Sequence, residues 1–552
     1  MVNNLTPQLI WSKYQKAIDY NNSINLYDVV KNNEDYYIGK QWERCNAPDL
    51  QKITMNFIGR VVTYFVSIIT SDNIGANIEL YKQTDQTKIV SSILSSEINR
   101  IMENTQFKDL LRDSTRDCAV DADSALYSFF NPDIKVKGFN YKGEINLELL
   151  KNTTIYFGNP TKLDVQKQPY IIISLRNTLE KVKKEAELNN LPSDEIKSDS
   201  DTNQYNSQFE PDDYVTELIY LTKADNTVWC AKSTYTAWVK KPWNTEYSLY
   251  PISYWSWTQN PNSYHGISPV TNVIPNQDAV NKLYSMQFHS IKNTSFPKII
   301  YDINKFTSGK YTNDVGKAIG VNGNPNDAIF NVFNGTSIKN EVIDLADRII
   351  QQSKELMGAN SASLGDIKSP DNTSAIVMAQ KGSTQPLTLQ QKAYYKFVED
   401  NLRIWLDIMT TDYGTREVKI QDTEGNEQFV MFDFNTLKDI NFKLSIDIGS
   451  ASWWSEIVQI QTIDNLFNKG IIEDKILYLE SIPDGYIKNK QKIIAALKKQ
   501  HEQLDNRMAQ YEQMAQFIET LPKEQQEQLK ALPPEQLEQT VMAIMQQSKQ
   551  IV

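Results

Sequence analysis

A chain of 552 residues with 40% hydrophobic and 23% charged side chains has the make-up of a soluble globular protein and the length for three or four domains. Its net charge of −11 excludes a surface that grips nucleic acid throughout, which needs clustered lysine and arginine, but leaves room for transient contact with DNA. Cys45, Cys118 and Cys230 are too scattered for a disulfide framework or a zinc site. The longest apolar run, Phe57 to Thr70, is too short for a membrane span, and no secretory signal opens the chain, so a cytoplasmic protein away from membranes is expected.

Residues 7 to 33 read as helix, and Tyr36 to Trp42 as an aromatic turn ahead of a helix from about Leu50 to Thr70. A strand over Ile74 to Tyr81 and helices over Lys88 to Glu103 and Phe107 to Phe130 precede strands at 145–150, 153–157 and 170–175, an α+β pattern. A short helix near Thr178 to Leu188 leads into the polar stretch Pro192 to Asp213, expected as a mobile surface loop. Strands resume at 214–222 and 227–232, and Trp238, Trp243, Tyr247, Tyr250, Tyr254, Trp255 and Trp257 make an aromatic patch.

Ser268 and Pro269 are cap and first position of a long helix whose stripe is Val270, Val273, Ile274, Val280, Tyr284, Phe288 and Ile291. Its other face, with Asn272, Asn276, Asn281 and Ser285, is expected to meet neighbours and water. A small β/turn module, Phe296 to Lys339, separates it from a second amphipathic helix, 341 to 357, carrying Val342, Ile343, Ala346, Ile349, Ile350, Leu356 and Met357. Gly358 ends that helix, and the polar run to Gly365 reads as a hinge. A helix resumes near Ala375, is interrupted at Gly382 and Pro386 with a kink near Gln385, and continues from Tyr394 to Met409. Strands at 417–421, 428–432 and 442–448 and helices at 455–468, 473–479 and 487–499 close the pattern, followed by a Gln-rich tail in which Leu521-Pro522 and Leu532-Pro533 begin a loose repeat.

Chemistry is sparse. His265, His289 and His501 stand in unrelated contexts, His501-Glu502 lacks a second helical ligand, and Ser308-Gly309-Lys310 lacks the upstream glycine of a phosphate loop. No catalytic residue, metal site or cofactor is read. The aromatic patch fits core anchors better than a stacking platform. Lys381 stands among Gln380, Ser383, Thr384 and Gln385, one weak cation among neutral hydrogen-bonding groups.

The order of parts resembles the portal proteins of tailed bacteriophages, in particular those of Gram-positive-host phages. Tyr37-Ile38-Gly39-Lys40-Gln41-Trp42 looks like the family's N-terminal aromatic-glycine-tryptophan turn, and Pro251 to Tyr254 with Gly266-Ile267-Ser268-Pro269 like the lead into its first stem helix. Asn372 to Ile376 with Glu399 to Leu402 resembles its tunnel-loop helix, and Gly470 to Glu473 the step near its crown; the acidic stretch 192–213 has no counterpart.

The resemblance implies an α+β portal fold with wing, helical stem, small β clip, kinked tunnel-loop helix and helical C-terminal crown. The N-terminal wing would be 1–266, stem helix 1 residues 267–295, the clip 296–339 and stem helix 2 residues 340–358. The tunnel loop and helix would be 359–410, the wing return 411–480 and the crown with its tail 481–552. It implies a homo-oligomeric ring, a dodecamer, at the unique capsid vertex of the virion, assembled in the host cytoplasm. The partners implied are double-stranded DNA, held transiently and without sequence preference, the terminase large subunit, the major capsid protein and scaffold, and a head-tail adaptor protein. The portal itself would be no enzyme. Gln380, Lys381, Ser383, Thr384 and Gln385 would face DNA, and Gly358, Gly365, Gly382 and Pro386 would be hinges. Two other classes stay open on the residues alone: an aromatic-rich carbohydrate-active or carbohydrate-binding protein, and a non-enzymatic cytoplasmic scaffold protein.

Overall fold

The computed structural model describes residues 4–71, 73–80, 85–135, 141–199, 213–295, 298–306, 320–333, 340–359, 385–421, 427–438, 442–449, 453–482 and, beyond these, mainly 490–501, with single exceptions such as 44, 47, 49, 328, 473 and 491. Two compact units divide the chain, residues 1–449 and 450–552.

Thr6 accepts from the Leu9 amide at 3.2 Å and, with Pro7, starts α1 (Pro7–Ser23). The helix expected over 7–33 is two: Asn25 adopts φ 54°, a left-handed conformation that asparagine tolerates, and α2 (Leu26–Ile38) follows. Residues 50–56 stay outside α3 (Phe57–Ile69), because Asn56 caps it by accepting from Gly59 N at 3.0 Å. Next come β1 (Asn73–Leu80), α4 (Asp85–Asn104) and α5 (Phe107–Asp121). The helix expected to reach Phe130 ends at Asp121. Ala122 turns left-handed at φ 81°, and the residues after it gain a strand partner on each side.

Those residues form β2 (Asp123–Lys135), followed by β3 (Lys142–Lys151), β4 (Ile155–Phe157), β5 (Tyr170–Thr178), α6 (Leu179–Leu188), β6 (Tyr214–Ala224), β7 (Thr227–Ser233), β8 (Trp238–Asn244) and β9 (Ile252–Ser256). Strand β2 lies between β3 and β9 in one antiparallel sheet, and β4 to β8 stand in sequence order in a second. On one face of the second sheet Ile10, Tyr14 and Ile18 of α1 pack on Tyr156, Ile172, Leu218 and Tyr220. Part of the polar stretch after α6 is anchored rather than loose. Ile196 is buried, and Asp199 pairs with Arg176 and accepts from Thr216 N at 2.9 Å.

The chain then runs through α7 (Pro269–Ser295), the antiparallel hairpin β10 (Lys298–Tyr301) and β11 (Ile329–Phe333), α8 (Asn340–Leu356) and α9 (Thr388–Asp412). A second hairpin, β12 (Thr415–Gln421) and β13 (Glu427–Asp433), precedes β14 (Phe442–Gly449). Strand β14 pairs antiparallel with β1, Phe442 opposite Leu80, and so returns the chain to its N-terminal part. Helix α9 is the buried axis of this unit: Trp405 is fully buried, donates Nε1 to Ser128 Oγ at 3.1 Å and meets the Phe107 ring edge-on at 4.9 Å. The aromatic patch is mostly core, with Tyr250, Trp255 and Trp257 buried and Trp255 donating to Ser114 Oγ at 3.0 Å.

In the second unit, Asp474 caps α11 (Lys475–Ser481), which follows α10 (Trp453–Asn468); helical backbone recurs over 492–501. The 521–536 repeat lies outside the described residues.

Candidate functional site

Two long helices carry the element that the sequence singled out. Ser268 Oγ accepts from Val270 N at 3.1 Å while donating to the Ala119 carbonyl at 2.8 Å, which fixes the start of α7 to the end of α5. Pro275 lies inside α7, where it removes one helical hydrogen bond; the sequence reading passed over it.

The polar side of α7 meets water at the exposed Asn272 but protein along most of its length. Gln277, Asn281 and Ser285 are all buried, and they accept in turn from Phe57 N at 3.2 Å, Met55 N at 2.9 Å and Ile53 N at 3.0 Å. Four residues of helix advance about 6 Å and two residues of extended chain about 6.6 Å, so a polar residue every fourth position can satisfy every second amide of an extended segment. Gln277 Nε2 returns a bond to the Met55 carbonyl at 2.8 Å, and Asn281 Nδ2 donates to Gln41 Oε1 at 2.6 Å. Trp42 Nε1 holds the Ile53 carbonyl at 3.1 Å. The aromatic-glycine-tryptophan turn is thereby tied to the long helix.

Helix α8 runs antiparallel to α7, with Asn276 Nδ2 donating to Ser353 Oγ at 2.9 Å and the Tyr284 hydroxyl to Asp347 Oδ1 at 2.9 Å. Its buried line is Ala346, Ser353 and Met357, flanked by half-buried Ile349 and Ile350. Leu356, expected on that face, is 77% exposed, since it lies about 80° round the helix from Ala346. Phe288 and Ile291 of the expected α7 stripe are also exposed, as is Leu345 of α8. The exposed acids of α8 are Glu341, Asp344, Asp347 and Glu355; its exposed base is Arg348.

Helix α8 ends in a Schellman turn. Ala359 N donates to Lys354 O at 2.8 Å and Gly358 N to Glu355 O at 2.9 Å, with Gly358 at φ 80°. A Cβ on Gly358 would stand 2.9 Å from Pro386 Cβ. Pro386 belongs to the single 3₁₀ turn Gln385–Leu387 that leads into α9. The structure therefore brings two sequence-marked residues, Gly358 and Pro386, into contact across 28 positions, and seats Ala359 and Leu387 beside them in the core. Gln385 is exposed at the edge of this base. Gln380, Lys381, Ser383, Thr384, Gly365 and Gly382 lie outside the described residues.

His265 is buried, its Nδ1 3.1 Å from Asp123 Oδ2 and its Nε2 3.2 Å from Asn21 Oδ1, while Asp123 Oδ1 also accepts from Gly266 N at 2.7 Å. Both ring nitrogens are engaged in holding the turn before α7. Among the described residues no group of three or more metal-ligating side chains converges, and no helix is long and apolar enough to cross a membrane.

Residues 161–551 match a family model that makes the chain a bacteriophage portal protein, a structural protein of the virion that serves DNA packaging. The family is described as Phage P22-like portal protein, and the chain belongs to it. No curated protein matches the chain.

Proposed function

We propose that copies of this chain close into a ring, a dodecamer, at one capsid vertex, and that DNA passes through its centre during packaging and ejection. In this reading α7 and α8 are the stem helices, 296–339 the clip, and the segment between Gly358 and Pro386 a tunnel loop. Residues 1–266 and 411–480 form the wing and 481–552 the crown. The ring docks the terminase large subunit, the major capsid protein and scaffold, and the head-tail adaptor; the motor that moves DNA is separate, and the chain has no catalysis of its own.

The observation that carries the reading is the closed base of that loop. Gly358 and Pro386 touch, so the two described ends of the segment meet at one point, where α8 ends and α9 begins. Exposed Phe288, Ile291 and Leu345 on paired helices support assembly, because a head-to-tail contact that closes into a ring covers such faces on every copy. The charge of −11 per copy, repeated around a ring, disfavours tight phosphate binding along a channel. DNA would touch the loop, where Lys381 offers a cation, and slide past the rest.

Replacing residues 361–383 by a short glycine-serine linker tests this. The pinned base lets the helices form without the loop, so rings should persist while genome packaging in the parental phage falls. Packaging at the normal yield would overturn the assignment of the loop.

A further inference from the structure

The five-stranded sheet has a second face. Opposite α1, the floor formed by Glu217, Ile219 and Leu221 of β6 and Cys230 and Lys232 of β7 opens into a cleft of about 820 Å³, walled by β2 and β3 on one side and rimmed by α6. The registry explains its composition. Ile219 pairs with Lys232 and Leu221 with Cys230, so one end of the floor is apolar and the other charged.

The charges at that end are unequally served. Lys232 Nζ sits 2.6 Å from Glu185 Oε1 and 3.6 Å from Glu217 Oε1. Glu217 is only 2% exposed; its Oε2 accepts from Asn177 Nδ2 at 2.8 Å, but its Oε1 has no hydrogen-bond donor among the described residues. Glu148 of β3 makes no ion pair within 4 Å among the described residues, and burial lifts both carboxyls above their ordinary range; at Glu148 the Lys181 and Lys232 charges oppose the rise and the Glu217 charge adds to it. Of the other lysines lining the cleft, Lys240 stands 3.8 Å over the Trp243 ring, Lys181 donates to Asn177 Oδ1 at 2.9 Å, and Lys184 is exposed on α6 at the rim. Phe129 and Tyr127, stacked at 5.2 Å, form the facing wall.

We propose that this cleft is a docking site for an arginine-bearing segment of a protein partner, its guanidinium received by Glu148 and Glu217 and its neighbouring apolar side chains by the Ile219, Leu221 and Trp243 end. A buried carboxylate oxygen without a donor is costly, and a planar cation with several N–H groups that also packs against aromatic rings relieves it. A cation already rests on Trp243, so the wall accepts one. The proposal does not depend on ring formation.

The test is calorimetric titration of the full chain with a short peptide carrying one arginine between leucines, and with the same peptide carrying neutral citrulline instead. The arginine peptide should bind at least tenfold more tightly, and Glu217→Gln should remove that preference. Glu148 is half-buried, so Glu148→Gln keeps the fold if Glu217→Gln does not; it too should weaken the arginine peptide about tenfold, with an unchanged Tm. Equal binding of the two peptides, binding of neither, or wild-type binding by Glu148→Gln would overturn the proposal.

Discussion

Gly358→Ala should loosen the base of the loop at a cost that can be worked out from two separate effects. The residue has φ 80°, and a side chain in that region costs about 1–2 kcal/mol. The new Cβ would also lie 2.9 Å from Pro386 Cβ, inside the roughly 3.5–4.0 Å of an ordinary carbon contact, and such overpacking costs about 1–3 kcal/mol. Together these give about 2–5 kcal/mol. Gly414→Ala is the control: its φ is 58° but no described residue lies within 4 Å of the position its Cβ would take, so it should lose only about 1–2 kcal/mol. Pro386→Gly removes the obstructing atom, so the pair Gly358→Ala with Pro386→Gly should show a favourable coupling of about 1–3 kcal/mol. Urea denaturation followed by tryptophan fluorescence, at one fixed protein concentration, measures the natural chain, the three single variants and the double variant. Equal losses for Gly358→Ala and Gly414→Ala, or no coupling to Pro386, would refute the pinned base.

Other expectations can be checked separately. The Asp121 carboxyl is raised well above its ordinary range, first by burial and then by the charges of Glu34 and Asp117, and its Oδ1 has no hydrogen-bond partner among the described residues. The folded state therefore holds this proton more tightly than the unfolded chain, so the stability it contributes is full below about pH 4 and is lost as pH rises toward the folded value. Asp121→Asn should have a higher Tm than the natural chain at pH 8, by about 1–3 kcal/mol in stability, and the gap should close at pH 4; an equal gap at both would contradict this. Phe288→Asp combined with Ile291→Asp should turn rings into single chains in sedimentation velocity without lowering the monomer's Tm, and unchanged rings would remove these residues from the contact. Lys381→Ala should lower packaging efficiency several-fold in a phage complementation assay, whereas unchanged packaging would mean that this lysine does not meet DNA.

Much of the framework was readable because the signals were local. Ser268-Pro269 marks the start of α7, Gly358 the end of α8, and the apolar runs of β5 and β6 their burial. The errors arose where a distant partner decided the outcome. Asn281 and Ser285 look solvent-facing by periodicity, yet their partners are amides 226 and 232 positions earlier. Ala122 carries no glycine or proline signal for the break between α5 and β2, and the pairing of β2 with β9 imposes it from more than a hundred residues away. Gly358 was marked as a stop by its own type, but its contact with Pro386 depends on the packing of α8 against the entry to α9. Ile196 and Asp199 anchor a stretch whose composition is polar, because two side chains suffice to hold it to the sheet.

The central claim is ring assembly around a passage for DNA, and electron microscopy of the purified full-length chain addresses it most directly. Negative-stain images should show rings with a central hole, and averaged side views should show the α7 and α8 pair repeated around that hole. Single chains at every concentration and salt condition, or closed particles without a hole, would contradict the account.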